Sequence, residues 1–135
     1  MARGGRTRAV TANQARRYLA KAEEYADAAS SELDAGRGIA ATSLAIHAAI
    51  NAADAVCGVR LGERAAGPDH DQVLALLKKA GKDGAEVGKD LRRLLPMKTK
   101  AEYDPDDIPL SMASKAVARG QRCVTVARRV VASLR

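Results

Sequence analysis

Apolar residues recur every three or four positions through most of the chain, which is the spacing of one face of an α-helix. The pattern first holds over 11–33, where it predicts a helix that Gly36 and Gly38 end. The most apolar segment follows and predicts a second, central helix over 39–57. No segment alternates apolar and polar residues as a half-buried strand would, so the sequence predicts an all-α fold.

Proline and glycine divide the middle of the chain into shorter helices. A third helix is predicted over 70–80, with Asp69 as its cap and Gln72 completing a capping box. A fourth helix is predicted to run until Pro96 stops it, and 97–103 is expected to continue as a helical turn or a kinked extension.

The last predicted helix starts after the loop 103–109 and reaches the C-terminus, with Ser111 as its expected cap. Five helices in up-and-down order, joined by short loops, predict a four-helix bundle with a short additional helix. Residues 1–10 contain three arginines and two glycines and are predicted to form a flexible basic arm. The remainder, 11–135, is predicted to be a single helical domain.

The composition narrows the choice of core residues. Apolar residues make up 47% of the chain but aromatic residues only 2%, so the core must be built from Ala, Leu, Val and Ile. Cys57 and Cys123 fall on apolar stretches and are expected to be buried free thiols. We expect no membrane span, because no segment reaches about 18 apolar residues. The basic N-terminus has no apolar stretch behind it, so we expect no signal peptide and a cytoplasmic location.

Positive charge is concentrated at the two ends of the chain. Residues 1–22 and 108–135 hold twelve of the 23 basic residues and none of the acidic ones, although the net charge of the whole chain is only +7. Such a chain can present a basic surface to the phosphates of RNA or DNA while another face stays acidic. The alternative is that basic ends merely keep a small domain soluble.

Two groups of basic residues are candidates for that surface, which would bind nucleic acid or a protein partner. The last helix carries a stripe within about 80° of its circumference. Its members are Lys115, Arg119, Arg122 and Arg129. The other group surrounds Pro96 and adds a tyrosine on which a base could stack. It consists of Arg92, Arg93, Lys98, Lys100 and Tyr103. Either group could instead be an ordinary solvated face.

Polar residues also interrupt the central helix. They share one face and are Ser43, His47, Asn51 and Asp54. They form either a hydrogen-bonded seam or dimer contact, or a ligand-lined groove shared with Lys98, Lys100 and Tyr103. No second ligand lies four residues from His47, so we expect no metal site. The glycines at 81–88 do not match a phosphate-binding loop, so we expect no cofactor.

The segment RAAGPDH places Arg64 six residues before His70. An arginine could hold a phosphate while a neutral imidazole takes a proton from a ribose 2′-hydroxyl. Such a site needs a second group to protonate the leaving oxygen, and none stands nearby in the sequence. His70 also directly follows the expected cap Asp69, so a structural or ligand-contacting role is the alternative.

Three segments together resemble the HEPN superfamily, the small helical domains of prokaryotic toxin–antitoxin pairs and nucleotidyltransferase-associated systems. They are SLAIHAAINAADAVCG at 43–58, GPDHDQVLALL at 67–77 and LRRLLPMKTKAEYDP at 91–105. The resemblance implies a helical domain, a homodimer, and a cognate protein partner such as an antitoxin or a nucleotidyltransferase. Catalytic members carry an Arg, then a polar residue and a His four to six residues later, and two copies form one RNA-cleaving site.

This chain departs from that pattern at the late position, which falls on Lys98, Thr99 and Tyr103. Lysine lacks the planar fork of arginine, and tyrosine is a poor acid–base group at neutral pH. The sequence therefore predicts a noncatalytic HEPN-like module that binds through a basic surface. The alternative is a metal-independent endoribonuclease that uses Arg64 and His70 across a dimer.

Overall fold

A computed structural model describes residues 6–67 and 69–134 of the chain. Within these residues it contains six helices and one two-stranded antiparallel ribbon. In chain order the elements are β1 (Thr7–Ala9), α1 (Ala12–Asp34), α2 (Gly38–Leu61), β2 (Glu63–Ala65), α3 (His70–Lys79), α4 (Gly81–Leu94), α5 (Pro96–Glu102) and α6 (Leu110–Ala132).

The core is built around α2, which is buried on nearly all sides. Helices α1, α6 and α4 pack against it, and α1 and α6 also pack on each other. The α2 side chains in the core are mostly alanines, as the composition predicts. Alanine lets helix axes approach closely, and at Gly120 of α6 the fit is tighter still. A Cβ atom there would lie 2.9 Å from the carbonyl oxygen of Ala45.

The apolar character of α2 is that of a core helix. By length and composition it could cross a membrane, with a mean hydropathy of 1.3 over its best 18-residue window. Two thirds of that window is buried inside the fold, as expected for a helix that other helices surround. Location in the cell stays a prediction.

The prediction of an all-α chain with five helices is wrong in two respects. Residues 96–102 form a separate helix, α5, because Pro96 starts a new helix where its fixed φ and missing N–H are tolerated. The second difference is the ribbon, in which Thr7 pairs with Ala65 and Ala9 pairs with Glu63. Three-residue strands are too short to show alternation in a sequence. The mostly helical prediction is confirmed.

The ribbon also corrects the predicted arm. Residues 1–5 lie outside the described part of the chain, but 6–10 are held against the domain. The amide of Val10 donates to the carbonyl of Gly62 (2.8 Å), and the Val10 side chain is buried against Gly58. The Gln72 side chain donates to the carbonyl oxygen of Arg6. The N-terminal strand is therefore tied to both α2 and α3.

The predicted cap Asp69 is confirmed, but its capping box and the predicted cap Ser111 are wrong. Asp69 caps α3 by accepting from the amide of Asp71 (2.9 Å). The Gln72 side chain donates to the carbonyl of Arg6 instead and does not complete a capping box. Ser111 makes no cap hydrogen bond, because α6 already begins at Leu110 after Pro109. The complete capping box lies instead at the start of α1, where Thr11 and Gln14 exchange side-chain hydrogen bonds.

The two cysteines are buried and free, as predicted. Cys57 belongs to α2 and Cys123 to α6. Burial is the largest cause that raises the pKa of each thiol to about 12. Both therefore act as small core residues rather than as nucleophiles.

The close approach of α2 and α6 can be tested with a matched pair of glycine substitutions. Gly120→Ala should lower the free energy of unfolding by about 1–3 kcal/mol, because the added methyl group forces the two helices apart. Gly88→Ala is the control, since a Cβ there meets Leu77 atoms only at 3.8 Å and beyond. It should be neutral or stabilising by up to about 1 kcal/mol. Urea denaturation of both variants measures the difference, and equal effects would contradict the packing.

Candidate functional site

The basic stripe on α6 is largely neutralised by carboxylates of α4. Arg119 and Arg122 both reach Asp90, at 3.2 and 2.8 Å, and Arg129 reaches Asp83 at 2.7 Å. The buried position of Asp90 opposes its ionisation, but hydrogen bonds and charge from Arg122 and then Arg119 hold its pKa below the usual value. Three of the four predicted stripe residues thus form ion pairs that hold α4 against α6.

The basic group around Pro96 does not form one surface. Arg92 lies in a shallow groove beside Lys78 and Lys89, on the α3 side of α4. Arg93 lies on the other side, in a groove that it shares with Lys115 of α6. Lys98 and Lys100 lie half-buried on α5, and Tyr103, which follows that helix, is 77% exposed.

The polar residues of α2 continue along one face, where α1 and α5 meet them. His47 stacks on Tyr25 of α1, with ring centroids 5.3 Å apart, and its Nε2 lies 3.8 Å from Glu102 of α5. The Asn51 side chain donates to the carbonyl of His47 (2.8 Å). Ser43 lies towards the N-terminal end of α2, where it borders a mainly apolar cavity of about 750 Å³.

Helix α5 connects the two histidines of the chain. Lys98 and Glu102 are one turn apart and therefore share a side of α5. Lys98 Nζ lies 3.4 Å from His70 Nε2 at the start of α3, while Glu102 is the residue that approaches His47. One alternative from the sequence placed His47 in a groove shared with Lys98, but the sequence contained no signal that His70 also lies beside Lys98.

Arg64 of β2 lies beside the same face of α2, near its C-terminal end. Its guanidinium donates to the carbonyl of Ala65 (2.9 Å) and lies over the Tyr18 ring, 5.6 Å from the ring centroid. It is also near enough to Asp54 of α2 to act on its ionisation. Burial raises the pKa of Asp54 and the charges of Arg64 and Lys21 lower it in part, which leaves a pKa of about 7.

We call this surface the α2 polar face. It combines two imidazoles, three cationic side chains, two tyrosines, an amide and two carboxyl groups, of which the Asp54 carboxyl is largely protonated below pH 7. Its residues are Tyr18, Lys21, Tyr25, His47, Asn51, Asp54, Arg64, His70, Lys98 and Glu102. The cations can hold phosphate oxygens, and the imidazoles can accept or donate protons. No group of three or more His, Cys, Asp or Glu in residues 6–67 and 69–134 could hold a metal ion.

Sequence reasoning missed the contribution of α1 to this face. Tyr18 and Tyr25 fit the apolar spacing of the helix predicted over 11–33, which is typical of core positions, yet both rings lie against charged or polar side chains. The available signal was their spacing, since Tyr18, Lys21 and Tyr25 repeat at three and four residues.

The buried carboxyl of Asp54 predicts a pH dependence of stability. The folded protein keeps a proton on Asp54 up to about pH 7, whereas the unfolded chain loses it near pH 4. This contribution to stability is therefore present at low pH and is lost as the pH rises from about 4 to about 7. Asparagine does not titrate, so Asp54→Asn should not lose stability over this range. The free energy of unfolding of the variant relative to wild type should therefore be higher at pH 8 than at pH 5, by about 1–3 kcal/mol.

Urea denaturation at pH 5 and pH 8 measures this effect. Asp27→Asn is the control, because Asp27 is an exposed carboxyl of α1. If wild type and Asp54→Asn differ in free energy of unfolding by the same amount at both pH values, Asp54 does not titrate in this range.

Comparison with known proteins identifies one family for most of the chain. A family model described as the HEPN domain matches residues 15–135, which include every element from α2 onwards and most of α1. β1 lies outside the match. No curated protein matches the chain. The match extends well beyond the segments that carry the resemblance, and the chain belongs to the HEPN domain family.

Proposed function

We propose that this HEPN domain is a noncatalytic module that binds nucleic acid through the α2 polar face. The observation that carries the proposal is the distribution of ion pairs. The α6 arginines are paired with carboxylates of α4 or α1, whereas Lys21, Arg64 and Lys98 pair with no carboxylate in the described part of the chain. Cations without such partners are the ones that can neutralise phosphates.

The local geometry suits a phosphate ligand. Arg64 is held in place by Tyr18 and by the carbonyl of Ala65, so less side-chain entropy is lost when it binds. Asp54 is largely uncharged below pH 7 and so repels an anion little under those conditions. Tyr103 offers an exposed ring just after α5, on which a base can stack.

A contact of His70 supports binding without cleavage. An ammonium group only donates hydrogen bonds, so Lys98 Nζ can bond to His70 Nε2 only through the lone pair of that nitrogen. A base that removes a proton from a ribose hydroxyl needs such a lone pair. Lys98 is also where catalytic relatives carry arginine, and Tyr103 where they carry histidine. We further propose a homodimer and a cognate protein partner, such as an antitoxin or a nucleotidyltransferase.

Affinity for RNA and DNA oligonucleotides at several salt concentrations tests the binding proposal. Phosphate contacts make the affinity fall steeply with salt. Arg64→Gln and Lys98→Ala should each weaken binding about tenfold and reduce the slope of log affinity against log salt by about 1. Arg128→Gln is the control, because it removes an exposed α6 charge that pairs with Glu23. It should change the affinity less than about twofold.

A flat salt response would overturn the proposal. So would an Arg128→Gln variant that loses as much affinity as the two site variants, because binding would then depend on overall charge or on α6.

One observation favours a second function, a metal-independent endoribonuclease that uses Arg64 and His70. The sequence offers no second acid–base group near His70, but in the structure α5 connects His70 to His47. One imidazole could take the proton from the 2′-hydroxyl while the other protonates the leaving oxygen. Arg64 would hold the phosphate.

RNA cleavage in EDTA tests this alternative. The endoribonuclease predicts cleavage that is lost in His70→Ala and reduced by 10²–10⁴-fold in His47→Ala, while circular dichroism shows both variants folded. Absence of cleavage by the parent protein, or an unchanged rate in His70→Ala, would rule it out and leave the binding module.

A further inference from the structure

Two arginines face each other across the short ribbon that joins the N-terminus to the end of α2. In the register of β1 and β2, Arg8 is directly opposite Arg64. Residues directly opposite in an antiparallel pair project from the same side, with Cβ atoms about 4.5–5.5 Å apart. Like charges in this position repel each other, so the ribbon alone gives no reason for the pair.

The ribbon holds this pair in place. Val10 anchors one end of β1 in the core beside Gly58, and Gln72 and the amide of Ala66 both donate to the carbonyl of Arg6 at the other end. Arg64 is held further by Tyr18. The two arginines thus start from fixed backbone positions.

Asp54 of α2 lies near enough to Arg64 for the two to interact, but no carboxylate among the described residues forms an ion pair with either arginine. The only carboxylate within 6–10 and 62–66 is that of Glu63, which is opposite Ala9 and so projects from the other side of the ribbon. Neither Arg8 nor Arg64 forms an ion pair among the described residues. Arg6 lies two residues before Arg8, on the same side, and the two border a small recess together with Ala66.

We propose that Arg8 and Arg64 form a clamp for one phosphate group, and that β1 is present to supply the Arg8 half of it. An anion between the two guanidinium groups replaces repulsion by charge-assisted hydrogen bonds from both sides. β1 precedes the residues that the HEPN family model matches, so Arg8 lies outside the matched part of the chain. The identity of the ligand as a nucleic-acid phosphate rests on the proposed function, but the clamp itself does not.

Thermal unfolding with inorganic phosphate tests the clamp without nucleic acid. At equal ionic strength, phosphate in place of chloride should raise the wild-type Tm by about 3–6 °C. Arg8→Gln and Arg64→Gln should lose most of this rise, and Arg8→Lys should keep part of it because the charge remains. Arg16→Gln is the matched control, since Arg16 is an exposed arginine on the side of α1 away from Tyr18.

The expected result is a phosphate response in wild type and Arg16→Gln that is absent in Arg8→Gln. No phosphate response in wild type, or an equal response in all the variants, would overturn the clamp. Circular dichroism in chloride checks that Arg8→Gln is folded, and its Tm there should be equal to or above wild type because the repulsion is relieved.

RNA binding by the same variants separates the clamp from the proposed function. If the clamp holds a backbone phosphate, Arg8→Gln should weaken RNA binding about tenfold while Arg16→Gln changes it less than twofold. A phosphate response combined with unchanged RNA affinity in Arg8→Gln would support a clamp for a small phosphate compound instead. RNA binding by wild type without any phosphate response would retain the proposed function and remove the clamp.

Discussion

The close approach of α6 to α2 at Gly120 and Ala45 is the constraint on which the rest of the structure depends. A core without Phe or Trp can exclude water only if its helices lie near one another, and small side chains allow this. With α1, α4 and α6 packed around it, α2 carries most of its polar side chains where its neighbours leave an opening or supply a partner. Thr42 is the exception, because it is buried and its hydroxyl has no hydrogen-bond partner among the described residues. The opening is the side where His47, Asn51 and Asp54 meet α1, α5 and β2.

The same packing determines which basic side chains pair with carboxylates and which remain available to a ligand. Once α4 lies against α6, Asp83, Glu86 and Asp90 recur along α4 at three and four residues and meet the arginines of α6. The paired charges on these two helices therefore stabilise the fold. In the described part of the chain, positive charge without a carboxylate partner remains on both helices, for example at Arg92 and Lys115, and on other elements, including α1, α5 and the ribbon. A net charge of +7 describes neither group, because it does not record which charges are paired.

Much of the fold could be predicted because helical periodicity is a local property. The start of α1 at Thr11, the cap at Asp69 and the buried cysteines all follow from short segments. The ribbon could not be predicted, since its pairing joins residues more than fifty positions apart. For the site, sequence reasoning identified Arg64, His70 and the polar residues of α2. One of its alternatives also placed Lys98 beside the polar residues of α2. It could not identify the contact of α5 with His70, which depends on the direction in which the chain leaves Pro96.

The distribution of aromatic residues has a consequence for observing this protein. The chain has no tryptophan and three tyrosines, and two of these, Tyr18 and Tyr25, lie on the α2 polar face in contact with Arg64 and His47. Most of its near-ultraviolet chromophores therefore sit where a ligand would bind. The native protein carries built-in optical reporters on that surface, and no dye or label has to be attached to follow events there.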